Sequence, residues 1–194
     1  MNRRLILLIV LGVVVVAQLA VPLSMIQRRE MTLKKGDVLR FKTAPVDPYD
    51  AFRGRYVALS IDNEVPVPEQ ATKQNDFRGD QRVYVLIDTD ADGFSRLASA
   101  QFQRPETGLY LCMRTPRYWR GGKTMRVSIP FDRYYMNEEL APEAERLYAK
   151  HTQRDKIDAY VQVRTRNGFA VLEELYVADM PIHEFMQKNA TTDD

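Results

Sequence analysis

The longest apolar block runs from Leu5 to Leu23, 19 residues without a charge, interrupted only by Gly12, Gln18 and Pro22. As a helix it would extend about 28 Å, close to the hydrocarbon thickness of a bilayer. Fourteen of these residues are Leu, Ile or Val, and their summed insertion preference, on the order of −4 to −8 kcal/mol, outweighs the cost of Gln18. No polar face is present, which excludes a soluble core helix. The pattern predicts a membrane-spanning anchor. A cleaved leader is the competing reading, with a basic start at Met1 to Arg4, an apolar region from Leu5 to Val16 and a small-residue site at Val15-Val16-Ala17. The apolar run continues through Leu19, Val21 and Leu23, which favours the anchor.

Beyond the block the pattern changes to short alternating runs. Gln27 to Lys35 is polar and basic and reads as a linker at the lipid headgroups. Gly36-Asp37 opens a strand over Val38 to Lys42, and Tyr56 to Ile61 alternates as a second. Asp62 to Gly79 contains Pro66, Pro68 and few apolar residues, and reads as a long exposed loop. Gln81 to Ile87 and Phe94 to Phe102 predict a hairpin, Leu109 to Arg114 a strand, and Thr124 to Ile129 another after the Gly121-Gly122 turn. Ile157 to Thr165 and Phe169 to Ala178 form a second hairpin around Arg166-Asn167-Gly168. Its faces read Ile157, Ala159, Val161 and Val163 against Phe169, Val171, Leu175 and Val177, broken only by Glu173.

One soluble helix is expected, Asn137 to Gln153, with the stripe Leu140, Ala144, Leu147, Tyr148 and His151. Pro142 suits its first turn, and Glu143 and Glu145 its positive dipole end. The sum is an α+β class, mostly β: an antiparallel domain with one packed amphipathic helix after one transmembrane helix. The division is 1–29 for the anchor and 30–194 for an extracytoplasmic domain.

Charge sharpens this picture. The net charge is +2, but residues 1–29 hold four arginines and no acid, so the rest carries 24 basic and 26 acidic residues, a net of −2. A nearly neutral domain with interspersed signs does not support nucleic-acid binding. Basic residues flank the span on both sides, and the signal-like order at the start places the amino terminus in the cytoplasm. The expected location is the bacterial inner membrane, with the domain on the periplasmic or extracellular side. The single cysteine, Cys112, permits no internal disulfide. It lies in an apolar run and reads as a buried small side chain.

Candidate chemistry is sparse. Asp88, Asp90 and Asp92 before Gly93 resemble the first half of a calcium loop, but Ser99 stands where a closing Glu is needed, so a hairpin turn is the stronger reading. His151 at a helix end and His183 in the tail read as structural. Tyr118, Trp119 and Arg120 could stack on a ligand or simply pack. The densest polar stretch is Asp47-Pro48-Tyr49-Asp50-Ala51-Phe52-Arg53-Gly54 leading into Tyr56. Pro48 and Gly54 force a bend, inside which Asp47, Asp50 and Arg53 can pair with one another or present a site.

Gly54-Arg55-Tyr56-Val57-Ala58-Leu59-Ser60-Ile61 resembles the motif of the bacterial GDYxxLxY family. Gly54, Tyr56 and Leu59 match, whereas Arg55 stands in place of the Asp and Ile61 in place of the last Tyr. The resemblance extends over Arg133-Tyr134-Tyr135, the Asn137 helix region and the C-terminal hairpin. It implies one membrane helix before a β-rich domain, and it implies no activity.

The expectation is therefore a membrane-anchored binding or interaction module with Asp47, Asp50, Arg53, Tyr56 and Arg133 as binding residues and no assigned catalytic residue or cofactor. Its partners would be the bilayer, through Leu5 to Leu23, and a multi-spanning membrane protein. The alternatives are an envelope hydrolase using a carboxylate of the Asp47–Arg53 turn as base, and a calcium-stabilised structural domain.

Overall fold

The computed structural model of the chain describes residues 3–43, 56–67, 79–118, 122–152 and 158–190. Its first element, α1 (Arg3–Lys35), is one helix of 33 residues, about 50 Å long. It is long and apolar enough to cross a membrane. Its apolar residues from Leu5 to Ile26 are exposed. The expected linker at residues 27–35 is a correction: the helix runs through it. Ser24 to Lys35 contains no Gly or Pro, and Glu30 and Lys34 pair at 3.2 Å one turn apart. The helix stops at Gly36, whose amide donates to the Thr32 carbonyl at 2.8 Å. A Cβ there would collide with the carbonyl oxygens of Thr32 and Thr165, so only glycine fits between helix and sheet.

The domain is mostly β. Among the described residues its strands form four antiparallel sets. In the first, β1 (Asp37–Lys42) pairs with β9 (Ala159–Arg166), β9 with β10 (Phe169–Val177), and β10 with the short β11 (Met180–Pro181). In the second, β5 (Ser95–Gln101) and β6 (Tyr110–Arg114) flank β4 (Arg82–Thr89). Two ribbons complete it: β2 (Tyr56–Ala58) with β8 (Arg133–Tyr135), and β3 (Glu64–Pro66) with β7 (Thr124–Arg126). Backbone bonds from Ser128 to Arg114 and from Cys112 to Gly168 join neighbouring sets. All four contribute to one core, through residues such as Phe41 and Val161, Val83 and Leu111, Val57, and Val65 with Met125.

β3 lies inside the stretch expected to be a loop. Val65 is fully buried, while Pro66 ends the strand, where a missing amide costs little. The β9–β10 hairpin closes as the sequence demands, with Asn167 at φ +52° and Gly168 at φ +77°. Its face assignment needs one correction. A register shift between Leu172 and Glu174 makes Glu173 a bulge, so the alternation flips there. Leu175 lies opposite Val161 and Val177 opposite Ala159 on the core face, whereas Val171 lies opposite Arg164 on the other face. The last turns of α1 pack against β9 and β10.

Helix α2 (Ala141–His151) is shorter than the expected 137–153 at both ends. Before it, Asn137 forms a turn, accepting the amides of Leu140 and Ala141. Ala144 and Tyr148 are buried, while Leu140 stays exposed. Burial pushes the Tyr148 hydroxyl pKa up, and its bonds to Thr43 and the Ser60 backbone pull it partly back, which ties α2 to the ends of β1 and β2. A second helix of the domain, α3 (Ile182–Ala190), follows β11 directly. Its core contacts are Ile182 and Phe185, with Met186 partly buried, a helical spacing only nine residues long.

Candidate functional site

The structure brings Tyr56 and Arg133 together on the β2–β8 ribbon. The pairing sets Tyr56 opposite Tyr135, Val57 opposite Tyr134 and Ala58 opposite Arg133. Strand alternation then divides the ribbon. Val57 and Tyr134 point into the core, 0% and 7% exposed, while Arg133 and Tyr135 face solvent, Tyr135 at 69%. The Arg133 guanidinium carbon lies 4.9 Å from the centroid of the Tyr56 ring. The Tyr56 and Tyr135 rings are 5.8 Å apart and tilted. A side-chain hydrogen bond with Tyr135, supported by Asp132, raises the Arg133 pKa and keeps the cation charged. Two phenols and one guanidinium thus form an exposed cluster over a fixed core.

The ribbon is held from beneath. The Tyr134 hydroxyl donates to Glu174 at 2.6 Å, and burial together with this bond raises its pKa. The Leu59 amide continues the ribbon by donating to Asp132 at 2.9 Å, and Leu59 itself is buried. The sequence singles out Tyr56 and Arg133 separately but passes over Tyr135. The signal was present, because Arg133 and Tyr135 are two apart on a strand and must share a face. Asp47, Asp50 and Arg53, the other three expected binding residues, lie outside the described residues, as do Gly54, Arg55, Trp119 and Arg120.

The aspartates of the β4–β5 turn are engaged otherwise than around an ion. The Asp90 carboxylate accepts the amides of Asp92 and Phe94, Asp88 accepts that of Thr89, and Asp92 pairs with Lys42 at 3.7 Å. Gly93, at φ +82°, completes the turn. Among the described residues no group of three His, Cys, Asp or Glu is placed to hold a metal ion. For the acid–base reading, the pKa of Glu173 lies below the ordinary carboxylate value. Burial pushes it up, but bonds from Arg164 at 2.7 Å and Gln162 at 2.9 Å outweigh burial and leave it low, opposite to what a neutral-pH acid needs. His151 sits against Asp158 at 3.1 Å and edge-on to Phe185, and His183 lies beside Tyr134. Burial raises the Cys112 thiol pKa against the pull of Arg82, Arg104 and Arg28, which fits an unreactive side chain.

A concave surface lies between α2 and α3. This groove, about 660 Å³, is lined by Leu140, Arg146, Leu147, Lys150, Met186 and Gln187 among others.

A family model described as GDYXXLXY protein matches residues 18–175. No curated protein and no solved structure matches the chain.

Proposed function

The chain belongs to the GDYXXLXY protein family, and from that premise we propose that it is a single-pass anchored binding module of a membrane complex, with its β domain on the extracytoplasmic side. The Tyr56–Arg133–Tyr135 cluster is its recognition surface. The observation that carries this reading is the solvent-facing pair of phenols around Arg133, mounted on the buried Val57 and Tyr134. Tyr and Arg dominate binding energies because each covers a large area while keeping a polar end to direct it. Asp47, Asp50 and Arg53 belong to the same reading, since the segment that holds them leads directly into Tyr56.

The geometry of α1 gives the module its working height. Lys35 lies twelve positions beyond Leu23, about 18 Å of helix, and Thr32 is already buried against the domain. A helix without a linker holds the surface at a fixed distance from the lipid, which suits a partner that is itself embedded in the membrane. A photo-crosslinking residue at Tyr135, in membranes holding the full chain, tests the proposal. A discrete adduct is expected, falling about tenfold or more when Tyr56 and Arg133 are both alanine. An equal yield from the same probe at the exposed Glu106, or an adduct indifferent to the two substitutions, contradicts it.

A further inference from the structure

Where α1 leaves the span it meets the tip of the β9–β10 hairpin, and the two enclose a small pocket of about 290 Å³. Its walls include Ser24, Gln27, Arg28 and Thr32 from the helix and Arg166 and Asn167 from the hairpin. Among the described residues no acid lines it. Among the described residues neither Arg28 nor Arg166 has an ion-pair partner, and the acid nearest along the helix, Glu30, is taken by Lys34. The Arg28 guanidinium lies over the Phe169 ring, 4.3 Å from its centroid, which holds one face of the guanidinium against the sheet and leaves its N–H edge for a ligand. Arg104 adds a third cation next to the tip, its guanidinium 3.4 Å from the Asn167 side-chain oxygen.

The depth of this pocket decides what it meets. Counting from Leu23, Ser24 is one residue and Arg28 five residues beyond the apolar run, so they stand about 1.5 to 8 Å outside the hydrocarbon. The headgroup layer on each face is roughly 5 to 8 Å thick. The pocket therefore opens at phosphate level. Two arginines without carboxylate partners among the described residues, set in a recess at that level, match a group that presents paired anionic oxygens, as the two non-bridging oxygens of a phosphodiester do. We propose that Arg28 and Arg166 form a binding site for the phosphate of an anionic phospholipid in the leaflet on the domain's side. The site would lock the hairpin tip to the membrane and fix the rotation of the domain about α1. This inference rests on the anchor reading of the proposed function.

The test uses the full chain in nanodiscs of phosphatidylcholine containing a minority of phosphatidylglycerol, followed by native mass spectrometry of the lipids that stay with the protein. Phosphatidylglycerol should be retained preferentially, and the double variant R28Q/R166Q should lower that preference about tenfold or more. R28K/R166K, which keeps both charges, should retain a clear preference, separating charge from packing. R96Q/R126Q, which removes two exposed arginines elsewhere, should change nothing. Equal retention of the two lipids, or a preference that survives R28Q/R166Q, overturns the site while leaving the anchor intact. Capture of inorganic phosphate by the same arginines without lipid preference also overturns it. A chain that fails to enter nanodiscs at all overturns the site and the anchor together.

Discussion

Arg28 in α1 and Phe169 at the start of β10, 141 positions apart in sequence, are in face contact, the guanidinium carbon 4.3 Å from the ring centroid. The contact ties α1 to the domain. A cation over an aromatic face at an exposed site is worth about 0.5–1 kcal/mol. Replacing either residue by alanine should raise amide exchange over residues 28–35 by up to about fivefold, and the double replacement should do little more than the singles. Hydrogen exchange of the detergent-solubilised chain measures this. An equal effect from alanine at the neighbouring Arg29 would contradict it.

Gly36 is the tighter joint. A methyl group at this position meets the backbone carbonyls of Thr32 and Thr165, neither of which can turn away without breaking helix or strand. Gly36→Ala should cost about 1–3 kcal/mol, the usual range for forcing extra atoms into a packed site. The loss should appear as a lowered melting temperature and as faster exchange in the last turns of α1. An unchanged melting temperature would show that helix and sheet are not in contact there.

The Arg164–Glu173 pair predicts an acid dependence. Both side chains are less than a third exposed, at 26% and 29%. The folded pKa of Glu173 lies below its ordinary value, so the pair stabilises the fold above the unfolded pKa, and that stability is lost as pH falls through the folded one. Lowering pH from neutral to about 3 should therefore cost the native chain part of its stability through this group. Glu173→Gln should remove that part of the acid loss and lower stability at neutral pH by a similar amount. Melting curves at the two pH values check both halves.

How far the sequence reached depends on how local each determinant is. The long apolar helix, the β4–β5 hairpin, the β9–β10 hairpin and most of α2 were legible because each is written in contiguous residues, such as Asn167-Gly168 or the Ala144–Tyr148 spacing. β3 was not, because three residues ending in Pro66 carry no period, and the strand exists only through β7, which begins at Thr124, 58 positions after Pro66. The Glu173 bulge was hidden for a related reason, since one inserted residue looks like one misplaced polar side chain until the partner strand is in view. α3 spans nine residues, too few for periodicity to separate it from a tail. In the candidate site, Tyr56 and Arg133 could be singled out and the i, i+2 spacing pointed to Tyr135, but bringing Tyr56 onto the same face needed the register of β2 on β8.

The account rests on a helix that spans the membrane and continues unbroken into a domain on the outer side. The direct measurement places a single cysteine at the exposed Lys123 in a Cys112→Ala chain and treats intact spheroplasts with a membrane-impermeant maleimide. Labelling before lysis, with the protein resisting alkaline extraction from the membrane fraction, is the result expected. Labelling only after lysis, or release of the intact chain by alkali, would contradict it.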